Sequence, residues 1–171
     1  MHKGAEPRAD GPRSVRDGEM NKKHRPLPRI NAKFARFRLR TGYSRIHRFG
    51  VYAMEDIPAK CIVIEYTGKI LTWGQSSKIP TAKSIYLACL KRGFSVDGRI
   101  GGSGAQLVNH SCNPSLKFKR ARGRLFLVSR RKIKAGEELT VHYHYPAKLR
   151  RVPCRCGARN CRRTLRLIIY R

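Results

Sequence analysis

The apolar residues of this chain come in short runs, and none of them repeats at the helical period over a useful length. Val51-Tyr52-Ala53, Cys61-Ile62-Val63-Ile64-Glu65-Tyr66, Phe94-Ser95-Val96-Asp97, Arg124-Leu125-Phe126-Leu127-Val128 and Leu139 to Tyr143 are rich in β-branched and aromatic residues. Phe37-Arg38-Leu39-Arg40 alternates apolar and charged side chains, as a half-buried strand does. Gly50, Pro58 and Gly68 punctuate the series. Ser84 to Leu90 is apolar but too short to separate strand from helix by period. No internal repeat is present. Such a chain is restricted to a mainly β fold of many short strands joined by loops.

At 171 residues the chain is long enough for one domain with a real core and a tail. Its charge is lopsided, with 39 Lys and Arg against 10 Asp and Glu, a formal net charge of +29. Glu6, Asp10, Asp17 and Glu19 are all near the N-terminus, so the body is more basic still. Lys117 to Lys134 and Pro146 to Arg171 contain no acid. The first is the best candidate for a basic face, although a basic run also fits an ordinary solvated hairpin. A field of this sign attracts polyanions, so nucleic acid or nucleoprotein is the expected neighbour.

Residues 1–33 carry charge, Gly and Pro with few apolar groups and are expected to form a disordered basic arm. Within it, Lys22-Lys23-His24-Arg25 could serve nuclear import or phosphate binding. No run approaches the ~20 apolar residues of a membrane span, and Met1 to Pro7 lacks the apolar core of a signal peptide. The expected location is intracellular, with no membrane partner: the nucleus or chromosome in a eukaryote, the cytoplasm or nucleoid in a bacterium.

Six cysteines divide into two kinds. Cys61 and Cys89 stand among apolar residues and read as small core residues. Cys154-Arg155-Cys156 with Cys161 sets three thiols in one tight loop, where an intracellular chain favours a metal over a disulfide. Zinc takes four ligands, usually in a tetrahedron. Arg155, Arg159, Arg162 and Arg163 would offset the charge of clustered thiolates.

Three segments occur in a telling order: Asn109-His110-Ser111-Cys112, then Glu138-Leu139-Thr140-Val141-His142-Tyr143, then the Cys154–Cys161 loop. Ahead of them stand Ser44-Arg45-Ile46-His47-Arg48-Phe49-Gly50 and Glu65-Tyr66-Thr67-Gly68. In this order the segments resemble the SET-domain protein-lysine methyltransferases with a post-SET zinc-binding tail, from about Phe34 to Cys161. The resemblance implies several small curved sheets with a knot-like crossing of the Asn109 and Tyr143 segments. It divides the chain into the arm (1–33), a SET domain (34–146) and a zinc-stapled tail (147–171).

The same resemblance implies the chemistry. The activity would be S-adenosylmethionine-dependent methyl transfer to a lysine of a histone or another nucleic-acid-associated basic protein. Tyr143 would be the catalytic tyrosine, with Tyr86 lining the lysine channel and Tyr145 a further candidate wall. Arg48, Phe49, Gly50, Tyr66, Asn109, His110 and Tyr143 would contact the cofactor. Cys112 would join Cys154, Cys156 and Cys161 around a structural zinc ion. Three positions depart from the family: Arg48 where Gly is usual, Gln106 where many members have Arg, and His142 where Asp is usual. Gln106 is expected to bond Glu138 without supplying charge. The departures also fit a catalytically weak SET-like zinc module that binds nucleic acid or chromatin.

Overall fold

The structure is a computed structural model, and it describes residues 26–80, 83, 85–143 and 152–165. Twelve short strands form four small sheets among the described residues, with one α-helical turn. The first sheet has the order β1-β2-β10-β7, built from β1 (Leu39–Tyr43), β2 (Phe49–Ala53), β10 (Glu138–Val141) and β7 (Asn109–His110). The second is β3-β9-β8: β3 (Ile62–Glu65), β9 (Arg124–Ser129) and β8 (Leu116–Ala121). The third is β4-β6-β5, from β4 (Lys69–Thr72), β6 (Phe94–Asp97) and β5 (Leu87–Lys91). In the tail, β11 (Val152–Pro153) pairs with β12 (Thr164–Leu165). The helical turn α1 (Trp73–Ser76) is closed by a capping box between Thr72 and Gln75. No helix among the described residues is long and apolar enough to cross a membrane.

The strands are short because each gives only two or three side chains to the core. Val51, Ile57, Val63, Ile64, Leu116, Leu125, Leu127, Ile133 and Leu139 are fully buried and come from five strands and two connections. Bulges and close approaches bend the sheets around this core. The β3–β9 register shifts between Ile62 and Ile64, and β5–β6 shifts between Cys89 and Lys91. A Cβ on Gly68 would lie 2.2 Å from the Asp97 carbonyl oxygen, so the chain entering β4 passes this close to the end of β6 through a glycine.

Five strands escape the sequence reading: the two-residue β7, β11 and β12, and the longer β4 and β8. β4 presents an exposed Ile70 between Lys69 and a buried Leu71, and β8 after Leu116 consists of exposed cations and partly buried Phe118 and Ala121. The ambiguous run resolves as strand over Leu87–Lys91. Cys89 is exposed there, with its thiol turned to the Lys91 carbonyl at 3.8 Å, so it is not a core residue. Cys61 is half-buried.

Chain order begins before the composition suggests. Among residues 26–33, the Pro28 carbonyl accepts from Thr41 Oγ1 at 2.5 Å and the Asn31 N–H donates to the Ser103 carbonyl at 2.9 Å. Ile30 packs against the core. These residues are read above as part of the basic arm, because prolines and cations dominate them while their anchors are distant in sequence.

The β8–β9 hairpin turns on Arg122 (φ 47°) and Gly123 (φ 72°), the left-handed pair of a two-residue turn. Glycine meets this demand freely, whereas arginine is strained by about 1–2 kcal/mol. Arg122→Asn, a residue that tolerates the left-handed region, is therefore expected to raise the unfolding free energy by about 0.5–1 kcal/mol, with an unchanged urea m-value. Equal or lower stability would show that the turn is not formed this way.

Candidate functional site

The site is organised by the crossing of two segments about thirty residues apart. β10 pairs in parallel with β7, with Thr140 opposite Asn109 and Val141 opposite His110. On its far side Ser115 and Thr140 bond reciprocally, Thr140 N to Ser115 Oγ at 3.0 Å and Ser115 N to Thr140 Oγ1 at 3.2 Å. Both residues are buried, so each hydroxyl satisfies a backbone group that water cannot reach. The chain leaving β10 is held at once: Tyr143 N–H donates to His110 Nδ1 at 3.0 Å, and the Tyr143 hydroxyl donates to the Val108 carbonyl at 2.6 Å.

A cleft of about 280 Å³ opens beside this crossing. Of the residues singled out in the sequence, Arg48, Phe49, Tyr86, Asn109 and Tyr143 line it. His47, Ile85, Gln106 and Leu107 complete its wall, with Pro26 and Pro28 from the segment ahead of β1. Gly50, Tyr66 and His110, also singled out in the sequence, do not line it. Tyr66 is buried, and its hydroxyl donates to the Tyr86 carbonyl at 2.7 Å, an oxygen that also accepts from Gly98 N–H at 3.0 Å. Burial, and then the nearby Asp97 carboxylate, push the Tyr66 phenol far above its ordinary range, so it remains a donor. Tyr145 lies outside the described residues.

Asn109 ties the wall together. Its Nδ2 donates to the Phe49 carbonyl at 2.9 Å and to Glu138 Oε1 at 2.9 Å, with the His47 carbonyl at 3.3 Å. Glu138 also accepts from Ser44 Oγ at 2.8 and 3.0 Å and from the Tyr52 hydroxyl at 3.3 Å. Burial first, and then the Glu138 charge, raise the Tyr52 phenol. Gln106 does not take the partner expected for it: its Oε1 accepts from Gly104 N–H at 2.9 Å. The short amide side chain serves its own loop, and Ser44, Tyr52 and Asn109 hold the carboxylate instead. Ser44 and Tyr52 are thus site residues to which the sequence reading gave no role, and Glu138 has partners other than the one expected for it. The available signal was Glu138 in its motif, but its partners are brought by the fold from about ninety residues away.

Arg48 stands at φ 43°, exposed, with its carbonyl accepting from Ser44 N–H at 2.9 Å. The loop keeps the left-handed backbone that glycine would favour, and arginine occupies it with its side chain at the cleft.

The four cysteine sulfurs Cys112, Cys154, Cys156 and Cys161 all lie within 4.8 Å of one another and could hold a metal ion. Cys112 and Cys154 Sγ are 3.8 Å apart. A tetrahedral ion bound at about 2.3 Å would separate its sulfurs by roughly 3.8 Å, so the spacing suits a thiolate-held metal rather than a disulfide. Backbone N–H groups aim at the sulfurs: Cys112 N at Cys156, Arg162 N at Cys112 and Arg163 N at Cys161, each at 3.4 Å. The arginine side chains expected to offset the charge are exposed, and the nearest donors are these amides. Burial alone would raise the Cys156 thiol, but N–H groups of Cys112 and Ala158 with the neighbouring thiols bring it down to about 6. Burial dominates at Cys112 and Cys154, which are raised. His110 links the cluster to the crossing. Its Nδ1 accepts from Tyr143 N–H, so its proton sits on Nε2, 3.5 Å from Cys112 Sγ.

A small-sheet β fold with a crossing beneath a tyrosine-lined cleft defines a class, and comparison with known proteins identifies it. The sequence pattern of the SET domain matches residues 48–144. The chain belongs to the SET-domain family. It is 35% identical over 133 residues to the histone-lysine N-methyltransferase ATXR7 of Arabidopsis thaliana, covering 71% of this chain and 9% of that protein. It is 37% identical over 147 residues to the H3 lysine-4 specific histone-lysine N-methyltransferase of Schizosaccharomyces pombe, covering 80% of this chain and 16% of that protein. Among solved structures it resembles KRYPTONITE in complex with mCHG DNA and SAH, with a TM-score of 0.65 and 28% identity over 77% of this chain and 30% of that one. KRYPTONITE in complex with mCHH DNA, an H3(1-15) peptide and SAH gives the same TM-score at 27% identity, over 80% of this chain and 31% of that one. The chain thus spans between 9% and 31% of the length of these proteins.

Gly50 tests the hydrogen-bonded wall. A Cβ there would lie 2.4 Å from Glu138 Oε1, so Gly50→Ala must displace the carboxylate from Asn109 and Ser44. The expected loss is about 1–3 kcal/mol in urea unfolding, as for other overpacked sites. A neutral result would show that Glu138 does not occupy this position.

Proposed function

We propose that this chain is an S-adenosylmethionine-dependent protein-lysine N-methyltransferase acting on histone or another nucleic-acid-associated basic protein, with Cys112, Cys154, Cys156 and Cys161 holding a structural zinc ion. One observation carries the reading: the Tyr143 hydroxyl sits over the Val108 carbonyl in a cleft shared with Tyr86, Arg48, Phe49 and Asn109. Family membership supports the reaction type, and the SAH in the KRYPTONITE complexes, the product left after S-adenosylmethionine gives up its methyl, supports the donor. The residues fit that donor, since backbone carbonyls and an amide converge on an open cleft with aromatic walls. Chromatin in a nucleus is the corresponding location, as the names of the related histone enzymes suggest.

When bound, the donor supplies an electrophilic methyl on a positively charged sulfur. The protein's part is to deliver a neutral amine in line with it. A lysine of ordinary pKa near 10.4 costs about 4.6 kcal/mol to neutralise at pH 7. Tyr86 and Tyr143 would exclude water from the channel and so disfavour the ammonium form. The Tyr143 hydroxyl, its proton committed to Val108, keeps lone pairs to accept an N–H from the amine and aim the nitrogen. Tyr143 and Tyr86 would hold that neutral nitrogen in line to take the methyl from the donor, which would leave as a thioether. Val108, held by the Asn109–His110 strand, is then the residue that fixes the tyrosine's rotation.

Two measurements test the reading. Radiolabelled donor with intact nucleosomes and with free histones is expected to label a lysine, more on nucleosomes because the substrate and this protein are both basic. Tyr143→Phe should lower kcat at least about a hundredfold, the scale of losing an oriented polar group, with the fold unchanged. No labelling, with no calorimetric binding of the donor, would favour the weak nucleic-acid-binding module that Arg48, Gln106 and His142 suggest. Separately, elemental analysis of protein made with zinc should find one zinc per chain. Cys156→Ser is expected to lose the ion and unfold the tail first, and a metal-free wild type would refute the zinc site.

A further inference from the structure

The described residues contain six acids, and each already has a partner. Glu55 pairs with Arg38, Asp56 with Lys132 and Lys134, Glu65 with Arg124, Asp97 with Arg99 and Glu137 with Arg131. Glu138 accepts from Ser44, Tyr52 and Asn109. This sorts the basic run 117–134 into two halves. Arg124 at the start of β9 and Arg131, Lys132 and Lys134 after it are ion-paired, whereas Lys117 and Lys119 on β8 are exposed and, among the described residues, have no carboxylate partner.

β8 is the edge of its sheet, and its register places Lys119 directly opposite Phe126 on β9, which is itself opposite Glu65 on β3. All three side chains therefore share one face. The Arg124 guanidinium lies over the Phe126 ring, 5.1 Å from its centre, and pairs with Glu65. Here a groove of about 170 Å³ opens, floored by Phe34 and Phe126 and flanked by Lys33 and Arg36, both exposed and without a carboxylate partner among the described residues. Its single carboxylate, Glu65, is spent on Arg124. The groove shares no residue with the Tyr143 cleft.

We propose that this groove docks a nucleic acid strand, with its phosphates on Lys33, Arg36, Lys117 and Lys119 and the Phe126–Arg124 stack beneath its sugars or bases. None of these four cations has a carboxylate partner among the described residues, and they stand out from other such cations because Lys33 and Arg36 line a groove with aromatic residues while Lys119 lies opposite its Phe126. Aromatic rings interleaved with cations suit a strand that offers both phosphate and flat surface. The inference gives the nucleic-acid association proposed above a location, and it is tested without donor or lysine substrate, so a failure of methyl transfer leaves it standing.

The test is fluorescence anisotropy of the full chain with a labelled 20-nucleotide single strand and a 20-base-pair duplex across a salt series. R36Q/K117Q/K119Q is compared with R131Q/K132Q/K134Q, which removes the same charge from ion-paired positions. The groove variant is expected to bind at least tenfold more weakly and to lose about 2–3 from the log–log salt slope, since each phosphate contact contributes about 0.7–0.9. The control should change less than threefold. Equal losses in the two variants, or none in the groove variant while far-UV circular dichroism is unchanged, would overturn the proposal. So would equally tight, groove-dependent binding of polyglutamate, which would make the site one for acidic protein.

Discussion

One imidazole joins the two halves of this molecule. His110 takes the Tyr143 amide on Nδ1 and faces the Cys112 sulfur with Nε2, while its backbone pairs with Val141. The tyrosine end fixes the floor of the cleft, and the cysteine end belongs to the thiol cluster that gathers the tail. Because His110 is buried, neither hydrogen bond competes with water, and the backbone bond fixes which nitrogen carries the proton. The reciprocal Ser115–Thr140 bonds and the three donors on Glu138 extend the same polar seam along β10. A seam of buried hydrogen bonds specifies one register where apolar packing alone would tolerate several.

The charge is distributed by a similar logic. Ion pairs tie connection to connection and strand to strand: Asp56 holds the loop before β10, and Glu65 on β3 holds the start of β9. Asp56 lies at a pKa of about 2, first through the Ala135 N–H and then through Lys134. The six acids among the described residues are thus committed to the fold, and cations without a carboxylate partner there collect on other faces. An electrostatic surface emerges by subtraction, which a count of +29 cannot reveal.

Legibility varied with the range of the interaction. The mainly β fold was readable because β-branched runs such as Cys61–Tyr66 and Leu139–Tyr143 carry their preference locally. β4 was not readable, since Ile70 faces outward, whereas Leu116-Lys117-Phe118-Lys119 of β8 alternates as a half-buried strand does and was passed over as a basic run. Cys89 was misread for a related reason: apolar neighbours in sequence point to the other side of a strand. Around the cleft, the motif residues Asn109 and Tyr143 stand out in the chain, but Ser44, Tyr52, Pro26 and Pro28 do not. Their roles come from neighbours tens of residues distant.

By itself the sequence determined the short-strand character, the basic excess, the cysteine set and the motif residues, because each is a property of residue type and local spacing. Only the tertiary structure decided that Glu138 bonds Ser44 and Asn109 rather than Gln106, that Gly50 yields room to a carboxylate, and which lysines have a partner. Those outcomes depend on distances between segments, and packing fixes such distances through contacts that no local pattern encodes.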